Sequence, residues 1–186
     1  MKIISATSEI PNMSKEEVER FLESTLNLQL ATIDKRGDPN IQPVWFYYDK
    51  DGEKLWINTS KSARKTQNIR KRSTIYFSID DENPPVRGVK GKGIATIIED
   101  LKTVIPLGDR ISLKYLGTLD HPIAKMISED SKKGEVVLIE ISPNFFSTWD
   151  YGKMQFWLTH NNICSQDFWG LRIQLNTFRE NMRKYD

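Results

Sequence analysis

The chain has 186 residues and a mass of 21.6 kDa, enough for one domain whose core needs neither a metal nor a disulfide to hold it. Hydrophobic residues make up 38% and the mean hydropathy is -0.52; apolar runs such as VVLIEI fall far short of the ~20 residues of a membrane helix, which excludes an integral helical membrane protein. The 27 basic residues exceed the 25 acidic ones by two, so any anion-binding site must be local rather than a property of the whole surface. The N-terminal stretch MKIISATSEIPN carries charge and proline where a secretory signal would be apolar. A single cysteine, Cys164, cannot form an internal disulfide, and a cytoplasmic protein is expected.

The first element is a helix over about Lys15–Thr25, opened by the capping box Ser14-Lys15-Glu16-Glu17 and carrying Val18, Phe21 and Leu22 at helical spacing. The period then changes to that of strands. Leu28–Ile33, Ile41–Tyr48 and Leu55–Asn58 form a meander, punctuated by Asp34-Lys35-Arg36-Gly37-Asp38 and Asp49-Lys50-Asp51-Gly52. Pro39 and Pro43 move the start of the second strand to an edge or a bulge. Residues 61–72 form a second helix, with Ala63, Thr66 and Ile69 inward. Thr74–Ile79 and Val89–Ile98 are further strands, joined by the polar loop Asp80–Pro85; Gly91 and Gly93 mark a bulge or a close approach of ligand or backbone. Asp100–Ser128 is mostly helical with breaks near Pro106 and Pro122, and Glu135–Ile141 is the sixth strand. Scattered helices around six short strands indicate a mainly β, α+β architecture, an antiparallel barrel with flanking helices. Residues 1–150 make the barrel domain. Residues 151–186 are a C-terminal extension in which Phe168, Leu171, Leu175, Phe178 and Met182 stripe one amphipathic helix, packed on its own domain or across a dimer.

The motifs of several common chemistries are missing. His121 and His160 have no cysteine partner at ligand spacing, so no zinc site is expected. Neither a nucleophile elbow, a P-loop nor a dinucleotide-binding glycine motif occurs. Cys164 has no motif context, and no catalytic residue is assigned.

Two segments stand out. Asn58-Thr59-Ser60-Lys61-Ser62-Ala63-Arg64-Lys65 places hydroxyls at a strand end directly before a helix start, where unpaired N–H groups and the helix dipole attract an anion. Residues 61–72 hold six basic side chains and no acid. A solvated basic face, a polyphosphate or nucleic-acid patch and a seat for a phosphate-bearing small ligand all fit that composition. The second segment, Gln42-Pro43-Val44-Trp45-Phe46-Tyr47-Tyr48, alternates Trp45 and Tyr47 against Phe46 and Tyr48. Either both faces are buried or one lines a pocket. A planar aromatic ligand with a phosphate tail, flavin mononucleotide (FMN) or another nucleotide, suits the pair of segments.

Taken together, Leu30-Ala31-Thr32-Ile33-Asp34 with Gly37 and Pro39, Pro43-Val44-Trp45-Phe46, Thr59 with Arg64-Lys65, Asn68 and Ile69, and Val89-Lys90-Gly91-Lys92-Gly93 resemble the pyridoxamine 5′-phosphate oxidase-like, FMN-binding split-barrel family. The likeness covers about residues 15–100, with a weaker echo at Pro143 and Trp149-Asp150-Tyr151. It implies a six-stranded split barrel, a homodimer with flavin sites at the subunit interface, and FMN as cofactor, with the deazaflavin F420 or haem as alternatives in relatives. It implies that the isoalloxazine lies along Gln42, Pro43, Val44 and Trp45. It further implies that Asn58, Thr59, Ser60, Arg64 and Lys65 hold the phosphate end, and that Lys92 and Trp149 contribute later contacts, from the partner subunit if the dimer forms. Gln42 and Tyr47 stand where true pyridoxamine-phosphate oxidases carry Arg and Lys, Ala63 replaces a serine, and the basic C-terminal substrate motif is not recognisable. The resemblance is therefore to the family and its redox chemistry, not to vitamin B6 oxidation. A small-molecule substrate or electron partner is expected, and neither a membrane nor a nucleic acid.

Overall fold

The computed structural model describes residues 1–154 apart from residue 9. The described residues form eight strands and four helices: β1 (Ile3–Ser5), α1 (Lys15–Glu23), β2 (Leu28–Ile33), β3 (Pro39–Val44), β4 (Tyr47–Asp49), β5 (Lys54–Ser60), α2 (Arg64–Lys71), β6 (Thr74–Asp81), β7 (Arg87–Ile98), α3 (Leu101–Leu116), α4 (Pro122–Lys132) and β8 (Val136–Asp150). The expected C-terminal helix lies outside the described residues.

The architecture is the expected antiparallel barrel with flanking helices, with eight strands in place of six. The sheet runs β3-β2-β6-β7-β8-β5-β4 and does not close by hydrogen bonds. Two changes account for the count. The single strand expected over Ile41–Tyr48 breaks at Trp45-Phe46, so its first half pairs with β2 at one end of the path and its second half with β5 at the other. In addition, β1 pairs in parallel with the far half of β8. The last strand continues well past Ile141, because Pro143 sits opposite Gly93 at a register shift, the kind of position where a strand tolerates proline.

Gly91 and Gly93 do mark close backbone approaches: a Cβ there would lie 2.5 Å from the Phe145 carbonyl oxygen and 2.7 Å from that of Ser142. The capping box forms as read, the Glu17 N–H donating to Ser14 Oγ (3.2 Å) and the Ser14 N–H to Glu17 Oε2 (2.6 Å). α3 runs through Pro106, which is exposed, as is Lys102, the residue whose carbonyl loses its usual partner, while Pro122 opens α4 at a position where its fixed φ suits a helix start.

Two apolar clusters hold the fold. One fills the barrel, with Leu28, Leu30, Phe46, Leu55, Ile57, Ile75, Phe77 and Ile139. The other lies between the outer face of β5 and β8 and the underside of α3, with Trp56, Leu138, Val104 and Ile111, and is flanked by Trp45, Tyr47 and Tyr115. The aromatic strand thus serves two packed faces: Phe46 and Tyr48 point into the barrel, Trp45 and Tyr47 toward α3. At the break itself, the Phe46 N–H donates to the Tyr115 hydroxyl (3.3 Å), which donates to the Leu26 carbonyl (2.9 Å), and the Tyr115 ring stacks on Trp45 at 4.9 Å and 6°. Replacing Tyr115 by Phe keeps the stack and strips both hydrogen bonds. That variant should lose about 1–3 kcal/mol of stability in urea unfolding, the cost of leaving a donor and an acceptor unpaired inside the protein; an unchanged midpoint would show the hydroxyl to be idle.

Candidate functional site

The start of α2 is built to leave its first turn open. Ala63 occupies the N-cap and supplies no side-chain bond, so the N–H groups of the first turn keep their positive ends free for an acceptor from outside the helix. The preceding turn is fixed from below: the Lys61 N–H donates to the Glu135 carbonyl (2.8 Å), the Ala63 N–H to the Ser60 carbonyl (3.1 Å), and the Thr66 hydroxyl to the same carbonyl (2.9 Å). Ser60 and Ser62 share a hydroxyl hydrogen bond of 3.0 Å. Farther along, the buried Asn68 side chain donates to Thr32 Oγ1 (3.0 Å), which pins the helix to β2.

Lys65 is the residue that joins the two segments singled out in the sequence. Its Nζ donates to Gln42 Oε1 at 3.0 Å, bridging α2 and β3. The side chain is half-buried, burial lowers its pKa below the usual lysine value, and among the described residues no carboxylate offsets its charge. A partly desolvated ammonium beside free backbone N–H groups favours a bound anion. Arg64, the preceding residue of the helix, lines a groove with Asp34–Arg36.

The remaining candidates are spread over both faces of the sheet. Gln42 shares the inner face with Leu30, while Ile41 and Pro43 face outward and are exposed. Val44 is buried in the barrel core and Trp45 is stacked under α3. Thr59 lies on the face of Ile57, whereas Asn58 is paired with Leu138 on the face that α3 covers, and Ser60 ends the strand. Lys92 belongs to the outer row Ile41, Ala31, Tyr76, Lys92, Phe145 that crosses five strands. Trp149, on that same face, lies over Gly88, with the Lys90 ammonium 5.9 Å from its ring. Within one chain, therefore, Lys92 and Trp149 are not brought to Lys65. The outer row borders an apolar groove of 350 Å³, and its Ile41 and Tyr76 are 64% and 54% exposed.

A family model described as pyridoxamine 5′-phosphate oxidase matches residues 14–150. The chain belongs to this family. Among solved structures, the conserved hypothetical protein Rv2991 from Mycobacterium tuberculosis is 24% identical with a TM-score of 0.69, the alignment covering 82% of this chain and 93% of that one. A protein described as F420 reductase is 28% identical with a TM-score of 0.57, covering 69% and 94%. HutZ, the heme storage protein from Vibrio cholerae, is 17% identical with a TM-score of 0.55, covering 70% and 89%, and shares the fold. No curated protein sequence matches the chain. Among the described residues, no group of side chains could hold a metal ion, and no helix is long and apolar enough to cross a membrane.

One further cation is not marked by the local sequence. The Lys114 ammonium donates to the Leu22 carbonyl (2.9 Å) and sits 3.6 Å from the centre of the buried Phe46 ring, at a cavity of 460 Å³ shared with Tyr47, Tyr48, Arg110 and Glu23. Burial pulls its pKa down to about 7, against a weak opposing pull from Glu23. On an amphipathic helix, Arg110 and Lys114 look like an ordinary solvated i,i+4 pair, and nothing in their spacing marks one as buried. The folded pKa lies below the unfolded value, so between about pH 7 and 10.5 the unfolded chain binds the extra proton and stability rises with pH. Replacing Lys114 by Met should flatten that rise by on the order of 2–3 kcal/mol after allowance for partial solvent access, read from unfolding midpoints across the range; parallel pH profiles for the two proteins would contradict the assignment.

Proposed function

We propose that the protein is a flavin-dependent oxidoreductase that binds FMN through the start of α2 and works as a homodimer. The observation that carries this reading is Lys65: a half-buried cation with no carboxylate partner among the described residues, bonded to Gln42 beside an uncapped helix start. The residues present fit a phosphate. Lys65, Arg64, Thr59, Ser60 and the first-turn N–H groups would hold it, and Gln42, Pro43, Val44 and Trp45 would border the ring system along the strand, with Asn58 supporting the strand end from the covered face. When bound, the flavin supplies the hydride or single-electron chemistry. The protein's part is then to fix the phosphate, to keep water from the inner side through Val44 and Phe46, and to place cations near the ring. The exposed apolar row of Ile41 and Tyr76 supports pairing with a second copy, which would bring Lys92 and Trp149 of the outer face to the neighbouring chain's strand. Positive charge from Lys92 there would stabilise the reduced, anionic flavin. The substrate is a small molecule or an electron partner.

A second reading, with F420 in place of FMN, is favoured by the 28% identical F420 reductase. Both readings use the same phosphate seat. Titrating FMN into the wild type and into the Arg64→Ala, Lys65→Ala double variant, followed by flavin fluorescence, tests that seat. The double variant should bind at least about 100-fold more weakly, as expected for losing two charge-assisted phosphate contacts; stoichiometric flavin retained by the variant would place the phosphate elsewhere.

A further inference from the structure

The cavity of 460 Å³ bordered by α1, β4 and α3 takes no part in the flavin reading. Leu22 and Leu113 supply apolar wall, and three ionisable side chains, Lys114, Arg110 and Glu23, border it with Tyr47. Among the described residues none of these three enters an ion pair; Glu23 pulls on Lys114 only weakly. Lys114 Nζ is held in place by the Leu22 carbonyl (2.9 Å) and by the Phe46 ring face (3.6 Å to its centre). Arg110 lies one turn back on the same face of α3, and Tyr47 braces it, accepting from Nη1 at 3.4 Å with the ring 5.5 Å from the guanidinium carbon. One donor of that fork is engaged, and the others remain for a carboxylate. Burial brings the Lys114 pKa down to about 7. At neutral pH about half of the chains then hold a free amine there, against roughly one in a thousand for an exposed lysine.

The geometry points to a covalent binding site in this cavity: a small 2-oxo acid sets its carboxylate on Arg110 and its ketone carbon at Lys114 Nζ, and the two condense to an imine. The nucleophile and the cation are one helical turn apart, and a 2-oxo acid carries its electrophilic carbon next to its carboxylate, so one short molecule meets both. Its side chain then lies against Leu22 and Leu113. In the first step the amine lone pair forms the N–C bond while the carbonyl π electrons move to oxygen, which takes a proton. In the second the C–O bond breaks, water leaves, and the nitrogen lone pair completes the C=N bond. Amine and ketone thus give imine and water with no oxidant or reductant. Glu23 and the Tyr47 hydroxyl, both at the cavity, are the groups placed to carry the proton from nitrogen to the departing oxygen.

The test incubates the full chain as purified, at neutral pH, with pyruvate and cyanoborohydride, which reduces an imine to a stable secondary amine, and maps the adducts by peptide mass spectrometry. Propanal, an aldehyde without a carboxylate, serves as the second probe. Lys102, exposed on the same helix and outside any ion pair among the described residues, is the reference amine. In the wild type, pyruvate should label Lys114 at least about tenfold faster than Lys102, since far more of Lys114 is free amine. Arg110 is exposed, so Arg110→Gln leaves the core intact. That variant should label Lys114 with pyruvate at least about tenfold more slowly, the loss of one charge-assisted carboxylate contact, and with propanal within about threefold of the wild type. Pyruvate labelling of Lys114 no faster than of Lys102 would overturn the site. Equal loss with both probes, or no loss with pyruvate, would remove the carboxylate from Arg110 and with it the 2-oxo acid.

Discussion

Tyr115 holds together the place where the barrel changes hands. The segment from Pro39 to Asp49 must leave one end of the sheet and join the other within two residues, Trp45 and Phe46. At such a crossing a backbone N–H loses its ladder partner, and its desolvation would cost on the order of 1–3 kcal/mol if nothing replaced it. The Tyr115 hydroxyl replaces it, accepting from the Phe46 N–H and donating to the Leu26 carbonyl, while its ring stacks on Trp45. One side chain from α3 thereby fixes the crossing, covers the outer face of the aromatic strand and ties in the chain that follows α1. With the crossing fixed, β3 keeps its register against β2, and Gln42 faces α2.

The second constraint is electrostatic. α2 carries its charge unevenly: its inward face is apolar or hydrogen-bonded, through Ile69, Thr66 and Asn68, and its outward faces are basic. Asn68 anchors the helix to Thr32 from within the barrel, so the helix start cannot shift away from the cations gathered around it. A half-buried ammonium and an open helix start are each less favourable without an anion, and both lie at the same end of α2. The same physics separates this end of the molecule from the outer sheet face, where Ile41 and Tyr76 offer apolar area and no concentration of charge.

Much of the fold was legible because short-range chemistry and period agree: the capping box of α1, the strands at Leu28–Ile33 and Leu55–Asn58, and the close backbone approaches at Gly91 and Gly93. The break at Trp45-Phe46 was not, since four consecutive aromatics keep an unbroken alternation whether or not the ladder continues. β8 was read too short because Pro143 normally ends a strand, and only the partner's register shows that it sits at a bulge. The hydroxyls before a basic helix were legible as a candidate anion seat, but the pairing of Arg70 with Glu99 depends on a residue some thirty positions away in sequence. Lys114 was invisible for a related reason. Its burial is set by Phe46 and the end of α1, which no local pattern around α3 records.

The measurement that bears most directly on the central claim is the visible absorption spectrum of the purified protein, before and after adding FMN and F420 separately. A flavin at the α2 seat requires either an FMN-type spectrum in the protein as purified or saturable uptake of one of the two cofactors, with one bound per chain. Uptake of neither by folded protein would contradict the flavin assignment and leave the barrel with an anion site of another use.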